Sequence, residues 1–256
     1  MILHVIVGTM HPLFDLVTNV DVADCFRSQH LMPPEVKDAD EYQARCNIFT
    51  SPDFFTNTSC CVVLIQGSGP VRPGLWARSL CINASFTEGS MFPLVDSCVN
   101  ELKYSVMIPN PNLNDVEVGG DVFDVVGSES PMAHITTVWD SYMSKCPAKK
   151  IVILAHSFGG IVVMHLLQKR WKELSGKVQK LLLTDSVHHW PSPMDKEAVA
   201  FVRDHCIHYV AASAPLNQSV KRKNEICRVV SAGNASHEWS THAATPEILK
   251  ELRHLN

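Results

Sequence analysis

The stretch Lys150-Ile151-Val152-Ile153-Leu154-Ala155-His156-Ser157-Phe158-Gly159-Gly160 constrains the fold more than any other part of this 256-residue chain. Its apolar, partly β-branched run reads as a strand buried on both faces, the pattern of a parallel sheet covered by helices. The run passes straight into Ala-x-Ser-x-Gly, and then into Ile161–Leu167, which is patterned as a helix. A strand, a tight turn of small residues and a helix form the setting in which a serine stands out of a strained elbow as a nucleophile. Ala155 and Gly159 are the small positions that let the strand and helix backbones pass closely. An ordinary strand–turn–helix joint with Ser157 capping the helix produces the same string. The motif alone leaves both readings open.

The rest of the chain repeats that alternation. Strands are expected at Cys60–Ile65, Tyr104–Ile108, Val178–Leu183, Cys206–Ala212 and Cys227–Gly233. Helices are expected near Met91–Glu101, Ala133–Lys145, Gly159–Leu174, Lys196–Arg203 and Pro246–His254. Strands alternating with helices give a three-layer α/β fold, with a mostly parallel central sheet flanked by helices. Residues 1–47 read as an N-terminal peripheral segment, a hairpin or helix. Residues 48–256 read as the α/β domain, with no repeat or internal boundary. The acidic, glycine-containing stretch 113–130 lacks apolar periodicity and reads as a surface loop.

Composition narrows the function classes. A net charge of -4 and a pI near 6.3 give no bulk electrostatic case for nucleic-acid binding. No apolar run reaches bilayer length, and Met1–Gly8 lacks a basic n-region and a cleavage site, so no secretory leader is expected. The nine cysteines form no CxxC pair and sit mostly among apolar residues. They read as reduced core thiols of an intracellular protein. On that reading the Asn-x-Ser/Thr sequons at Asn57, Asn83, Asn217 and Asn234 are accidental.

Chemistry requires more than a serine, because a hydroxyl is a poor nucleophile until a base removes its proton. α/β-hydrolases place Ser, then Asp or Glu, then His at the carboxyl ends of successive strands. Ser157, Asp185 and His237 occur in that order, each just past an expected strand. His237 would act as base, and Asp185 would fix its tautomer. Gly67, Ser68 and Gly69, at the end of the first strand, together with the Phe158 N–H, would bind the oxyanion. Pro109-Asn110-Pro111-Asn112 is a rigid turn whose two amides could hydrogen-bond a neighbouring loop. His188 and His189 compete as the base but lie only a few residues from the acid, and Glu238 adjoins His237 too closely to orient it. A metal site at His205 and His208 lacks compact ligand spacing, so neither metal nor cofactor is expected. Lys221-Arg222-Lys223 reads as a solvated basic loop.

The chain resembles the Argonaute-binding protein two domain family. The resemblance rests on Leu64-Ile65-Gln66-Gly67-Ser68-Gly69, Gly74-x-Trp76-Ala77-Arg78, Asn110-Pro111-Asn112, Ala155–Gly160, Thr184-Asp185-Ser186-Val187-His188, and Ser231-Ala232-Gly233 with His237-Glu238. These stretches span roughly residues 48–242. The resemblance implies an α/β-hydrolase-like fold with Ser157 as nucleophile. It also implies roles in small-RNA silencing, heterochromatin or splicing, with Argonaute-type or chromatin partners in the nucleus or cytoplasm. Animal members usually carry Tyr in place of Phe158, His in place of Gln66, and a lysine-rich insertion after the Asn-Pro-Asn segment that this chain lacks. Two functions follow: a serine hydrolase of esters or thioesters, or an interaction module that keeps the scaffold and works through partners.

Overall fold

The computed structural model describes residues 27–30, 44, 46–190 and 194–255. The Leu31–Glu41 part of the expected N-terminal segment lies outside them. In chain order the strands are β1 (Arg27–His30), β2 (Asn47–Thr50), β3 (Cys60–Ile65), β4 (Ser105–Ile108), β5 (Asp115–Val118), β6 (Asp121–Asp124), β7 (Lys150–His156), β8 (Val178–Thr184), β9 (Cys206–Val210) and β10 (Arg228–Ser231). The helices are α1 (Arg78–Asn83), α2 (Phe86–Gly89), α3 (Phe92–Asp96), α4 (Pro131–Ser141), α5 (Gly159–Leu174), α6 (Lys196–His205) and α7 (Ser240–Arg253).

Eight strands form one sheet in the order β1-β2-β4-β3-β7-β8-β9-β10. From β4 to β10 every neighbouring pair is parallel, while β2 runs antiparallel to both β4 and β1 at one edge. Parallel strands need covered faces, and alternation along β3 and β7 divides their side chains between two cores. Cys61, Val63, Ile65, Ile151, Ile153 and Ala155 pack with Val138 and Trp139 of α4 and Val163 and Leu167 of α5. Val62, Leu64, Val152 and Leu154 pack with Leu94 of α3 and Ala244, Ile248 and Leu252 of α7. Each such fully buried aliphatic side chain contributes roughly 1.5–3 kcal/mol. The expected three-layer α/β architecture is therefore the observed one, and its connectivity is α/β-hydrolase-like. Among the described residues, no helix is long and apolar enough to cross a membrane, and the eight described cysteines are free thiols.

Several local expectations change. The stretch read as a loop at 113–130 contains the β5–β6 hairpin, closed by Gly119 and Gly120 at φ +65° and +95°. Two positive-φ residues are what a two-residue hairpin turn needs. The helix expected at Met91–Glu101 is α3 followed by a π-helical turn over Ser97–Glu101. The loop after β3 folds into α1 and α2, and α2 is capped by Ser85, whose hydroxyl accepts the Glu88 N–H. The closing helix begins at Ser240 rather than Pro246, because its second turn tolerates the proline. Pro246 removes one N–H bond, while Ala244, Ile248 and Leu252 keep the buried face intact.

Candidate active site

The parallel strands end together at one edge of the sheet, and the turns leaving β7 and β8 meet there. The Ser157 N–H donates to the Thr184 carbonyl at 3.0 Å, and the Val187 N–H donates to the Ser157 carbonyl at 3.3 Å. Ser157 has φ +52° and Asp185 φ +37°, the left-handed region that an ordinary side chain enters only when its surroundings enforce it. Steric demand explains the glycines after the serine. A Cβ on Gly159 would lie 2.8 Å from the Ile65 and Gln66 carbonyl oxygens. One on Gly160 would lie 1.8 Å from Ser186 Oγ. Gly160 is thus a tighter contact than Gly159. Ser157 does not cap α5: the first position before the helix is Phe158, and it makes no side-chain cap.

Ser157 Oγ instead lies 3.0 Å from His237 Nε2, and His237 Nδ1 lies 2.6 Å from Asp185 Oδ2. With Asp185 ionised, Nδ1 carries the proton and Nε2 is free to accept from the serine hydroxyl. The Asp185 carboxylate is held by further contacts. Its Oδ1 accepts the Ala211 N–H at 3.0 Å, and its own N–H donates to the Tyr209 carbonyl at 2.7 Å. Burial would raise the Asp185 carboxyl, but the His237 hydrogen bond and the Ala211 N–H outweigh it and hold the group below its ordinary value. His237 is exposed on one side. On the other it rests against the His156 ring, with centroids 4.8 Å apart.

His156 is a further residue of the site that the sequence pattern does not point to. Its Nδ1 donates to the Thr184 carbonyl at 3.0 Å, beside the Thr184 and Thr241 hydroxyls. Burial, then the proximity of His237, push its pKa down to about 4. A neutral imidazole of fixed tautomer therefore backs His237. Its only sequence signal was its place immediately before the serine.

Of the loop residues considered for oxyanion binding, Gly67 packs against the serine: a Cβ there would sit 3.1 Å from Ser157 Cβ. Ser68 and Gly69 lie farther out and exposed, Gly69 with φ +92°. Phe158 lies at the amino end of α5, where backbone N–H groups point outward and favour negative charge. Asn112 Nδ2 pins the loop by donating to the Gly67 and Val71 carbonyls at 2.8 and 2.9 Å.

The competing residues go elsewhere. Glu238 and His189 are exposed, and the acid at His237 is Asp185. His205 stacks on Phe201 with centroids 5.0 Å apart and does not meet His208. His188 and His208 meet Glu225 below the site, and the three offer ligand atoms within 4.8 Å of one another. Arg222, read as part of a solvated loop, reaches within 3.9 Å of Asp185 and 3.8 Å of Glu225.

Comparison with known proteins fits this architecture. A protein from Dictyostelium discoideum called Cotranscriptional regulator ARB2A homolog is 33% identical over 78% of this chain and 60% of its own length. The Homo sapiens Cotranscriptional regulator ARB2A is 30% identical over 83% of this chain and 63% of its own. The chain thus spans less than two thirds of these relatives. A histone deacetylase chain from Saccharomyces cerevisiae superposes with a TM-score of 0.55 at 11% identity, covering 88% of this chain and 89% of that one; at that identity the likeness is one of fold. The Arb2 domain model matches residues 24–122 and 117–216, and the chain belongs to the Arb2 domain family.

Proposed function

We propose that this chain is a serine hydrolase acting on an ester or thioester. The observation that carries this reading is the continuous hydrogen-bonded path from Ser157 through His237 to Asp185. In the first step His237 Nε2 takes the Ser157 proton as Oγ attacks the acyl carbon, and Asp185 stabilises the imidazolium. The Phe158 N–H, with the loop at Gly67–Gly69, stabilises the oxyanion; one such donor contributes about 3–4 kcal/mol to the transition state. The imidazolium then returns its proton to the departing alcohol or thiol, leaving the acyl group on Ser157. Water, deprotonated by His237, releases the acid. A fluorophosphonate probe tests the reading: it labels the wild-type protein and not Ser157→Ala. A folded wild-type sample that stays unlabelled sinks it.

A second reading is favoured by the company this fold keeps. Relatives are named cotranscriptional regulators and a histone deacetylase chain shares the architecture. On this reading the scaffold is an interaction module acting in the nucleus or cytoplasm, with Argonaute-type, chromatin or splicing proteins as partners. Co-purification of such partners with Ser157→Ala as efficiently as with wild type supports it, and loss of every partner under gentle pull-down counts against it. The two readings are compatible, because one fold can carry more than one function.

A further inference from the structure

Three side chains without a part in the proposed reaction converge beneath it. His188 lies in the turn after β8, His208 lies in β9, and Glu225 precedes β10. Their side chains are buried, with at most 9% exposed. Glu225 Oε1 lies 2.9 Å from His208 Nδ1, and Oε2 lies 3.3 Å from His188 Nε2, a close approach without hydrogen-bond alignment. The opposite edge of each ring faces the turn that carries Asp185. His208 Nε2 accepts the Ser186 N–H at 2.9 Å, and His188 Nδ1 lies 2.8 Å from Ser186 Oγ.

The tautomer of His208 follows from these contacts. A backbone N–H only donates, so Nε2 is unprotonated and the single ring proton sits on Nδ1, aimed at Glu225. This also weighs against a metal in the triangle. A cation on His208 Nδ1 would have to expel that proton while Nε2 stayed occupied by the Ser186 N–H, leaving an imidazolate where a metal-bound histidine normally keeps a donor.

We propose that Glu225 is a positioning residue for Asp185, gripping the Asp185–His188 turn through His208 on one side and His188 on the other. The proposal rests on the reading of Asp185 as the acid of a hydrolytic triad. Ser186 is the fixed point of the arrangement. One side of it is held by the two imidazoles. The other is packed against Gly160, where even a methyl group would overlap Ser186 Oγ. The first turn of α5, which follows the nucleophile, and the turn carrying the acid are thereby set against the same residue. A non-glycine residue at φ +37° persists only when its neighbours over-determine it. The Ser186 clamp, with the Asp185 N–H bond to Tyr209 and the Ala211 N–H on its carboxylate, supplies that determination. Arg222 lies between the Glu225 and Asp185 carboxylates and offsets their negative charge.

Glu225→Gln tests the assignment, because it keeps the volume but puts an NH2 group where one carboxylate oxygen receives a ring N–H. Two readouts are followed: the nitrogen NMR shifts of the His237 ring, which report its bond to Asp185, and the rate of fluorophosphonate labelling at Ser157. In folded Glu225→Gln the His237 shifts move away from wild type and labelling slows by roughly tenfold or more, since small misplacement of an orienting group is amplified in rate. Folded Glu225→Gln with wild-type His237 shifts and labelling overturns the proposal. If Glu225→Gln does not fold, His188→Gln removes one arm of the grip and carries the same test; unchanged His237 shifts in that folded variant overturn it. A wild-type protein that is never labelled refutes hydrolysis, while the His237 shifts still decide whether Glu225 positions Asp185.

Discussion

Two serine–histidine–carboxylate sets lie side by side in this molecule, and their surroundings set them apart as much as their hydrogen bonds do. Ser157, His237 and Asp185 stand at the sheet edge, with His237 open to solvent. Ser186, His188 and Glu225 repeat the same residue types at 2.8 and 3.3 Å, yet Ser186 is 1% exposed and pressed against Gly160. The exposed set is the one the proposed reaction uses, with Ser157 at the amino end of α5. The buried set has no room for a reacting atom, and its hydrogen bonds serve to hold a turn. Residue type alone therefore does not mark a candidate active site; access and a place for developing charge are also needed.

The largest expected effect separates the sets outright. Ser157→Ala abolishes fluorophosphonate labelling, because alanine has no hydroxyl to bond to the probe. Ser186→Ala leaves Ser157 as the labelled residue in peptide maps and lowers stability by about 1–3 kcal/mol. Labelling of Ser186 would erase the distinction. Next in size, Asp185→Asn slows labelling by about 10⁴-fold at neutral pH, because the amide disfavours the required His237 tautomer. A rate within tenfold of wild type in that variant would remove Asp185 from the role of acid.

Gly160→Ala strikes the contact between the sets. Its methyl group meets Ser186 Oγ, and overpacking of this kind costs about 1–3 kcal/mol. Chemical denaturation measures the loss, and unchanged stability would show that the two turns are not packed as described. Acid acts on the buried histidines. Burial pushes His134 down to about 3 and His156 to about 4, from an ordinary 6.5, and lowers His208 despite the opposing pull of Glu225. Between pH 6.5 and about 4 the unfolded chain binds more protons than the folded one, so stability falls as pH drops through that window. Urea midpoints across it check the slope, and His156→Gln flattens part of it. The smallest effect belongs to Arg222→Ala. At 3.8–3.9 Å and partly exposed, this ion pair contributes about 1 kcal/mol or less, and labelling stays within a few-fold of wild type.

Much of this was legible along the chain. The runs Lys150–Ala155 and Cys60–Ile65 announce central strands because strands buried on both faces need continuous apolar residues. Gly159 marks the close approach after the serine, whereas the tighter contact at Gly160 shows only in the fold. The hairpin at Asp115–Asp124 is harder to read: Val116, Val118 and Val122 flank a glycine pair, but the acidic residues between them carry the pattern of a surface loop. The start of α7 is not legible, because Pro246 looks like a helix opening and only the packing of Ala244 and Ile248 against the sheet shows otherwise. Glu225 carried no local signal, since an isolated glutamate near a Lys-Arg-Lys run reads as surface.

The sequence by itself determined the α/β class, the strand–turn–helix joint at Ser157 and the chain order of Ser157, Asp185 and His237, because these depend on periodicity and small residues over short spans. The tertiary structure decided the rest. It placed His237 against Ser157 across 80 positions and against Asp185 across 52. It buried His188 and His208 with Glu225, gave His156 a neutral supporting place, and left Ser157 reachable while enclosing Ser186. Hydrogen-bond direction and desolvation are properties of through-space neighbours, and those neighbours come from distant strands that only the folded sheet brings together.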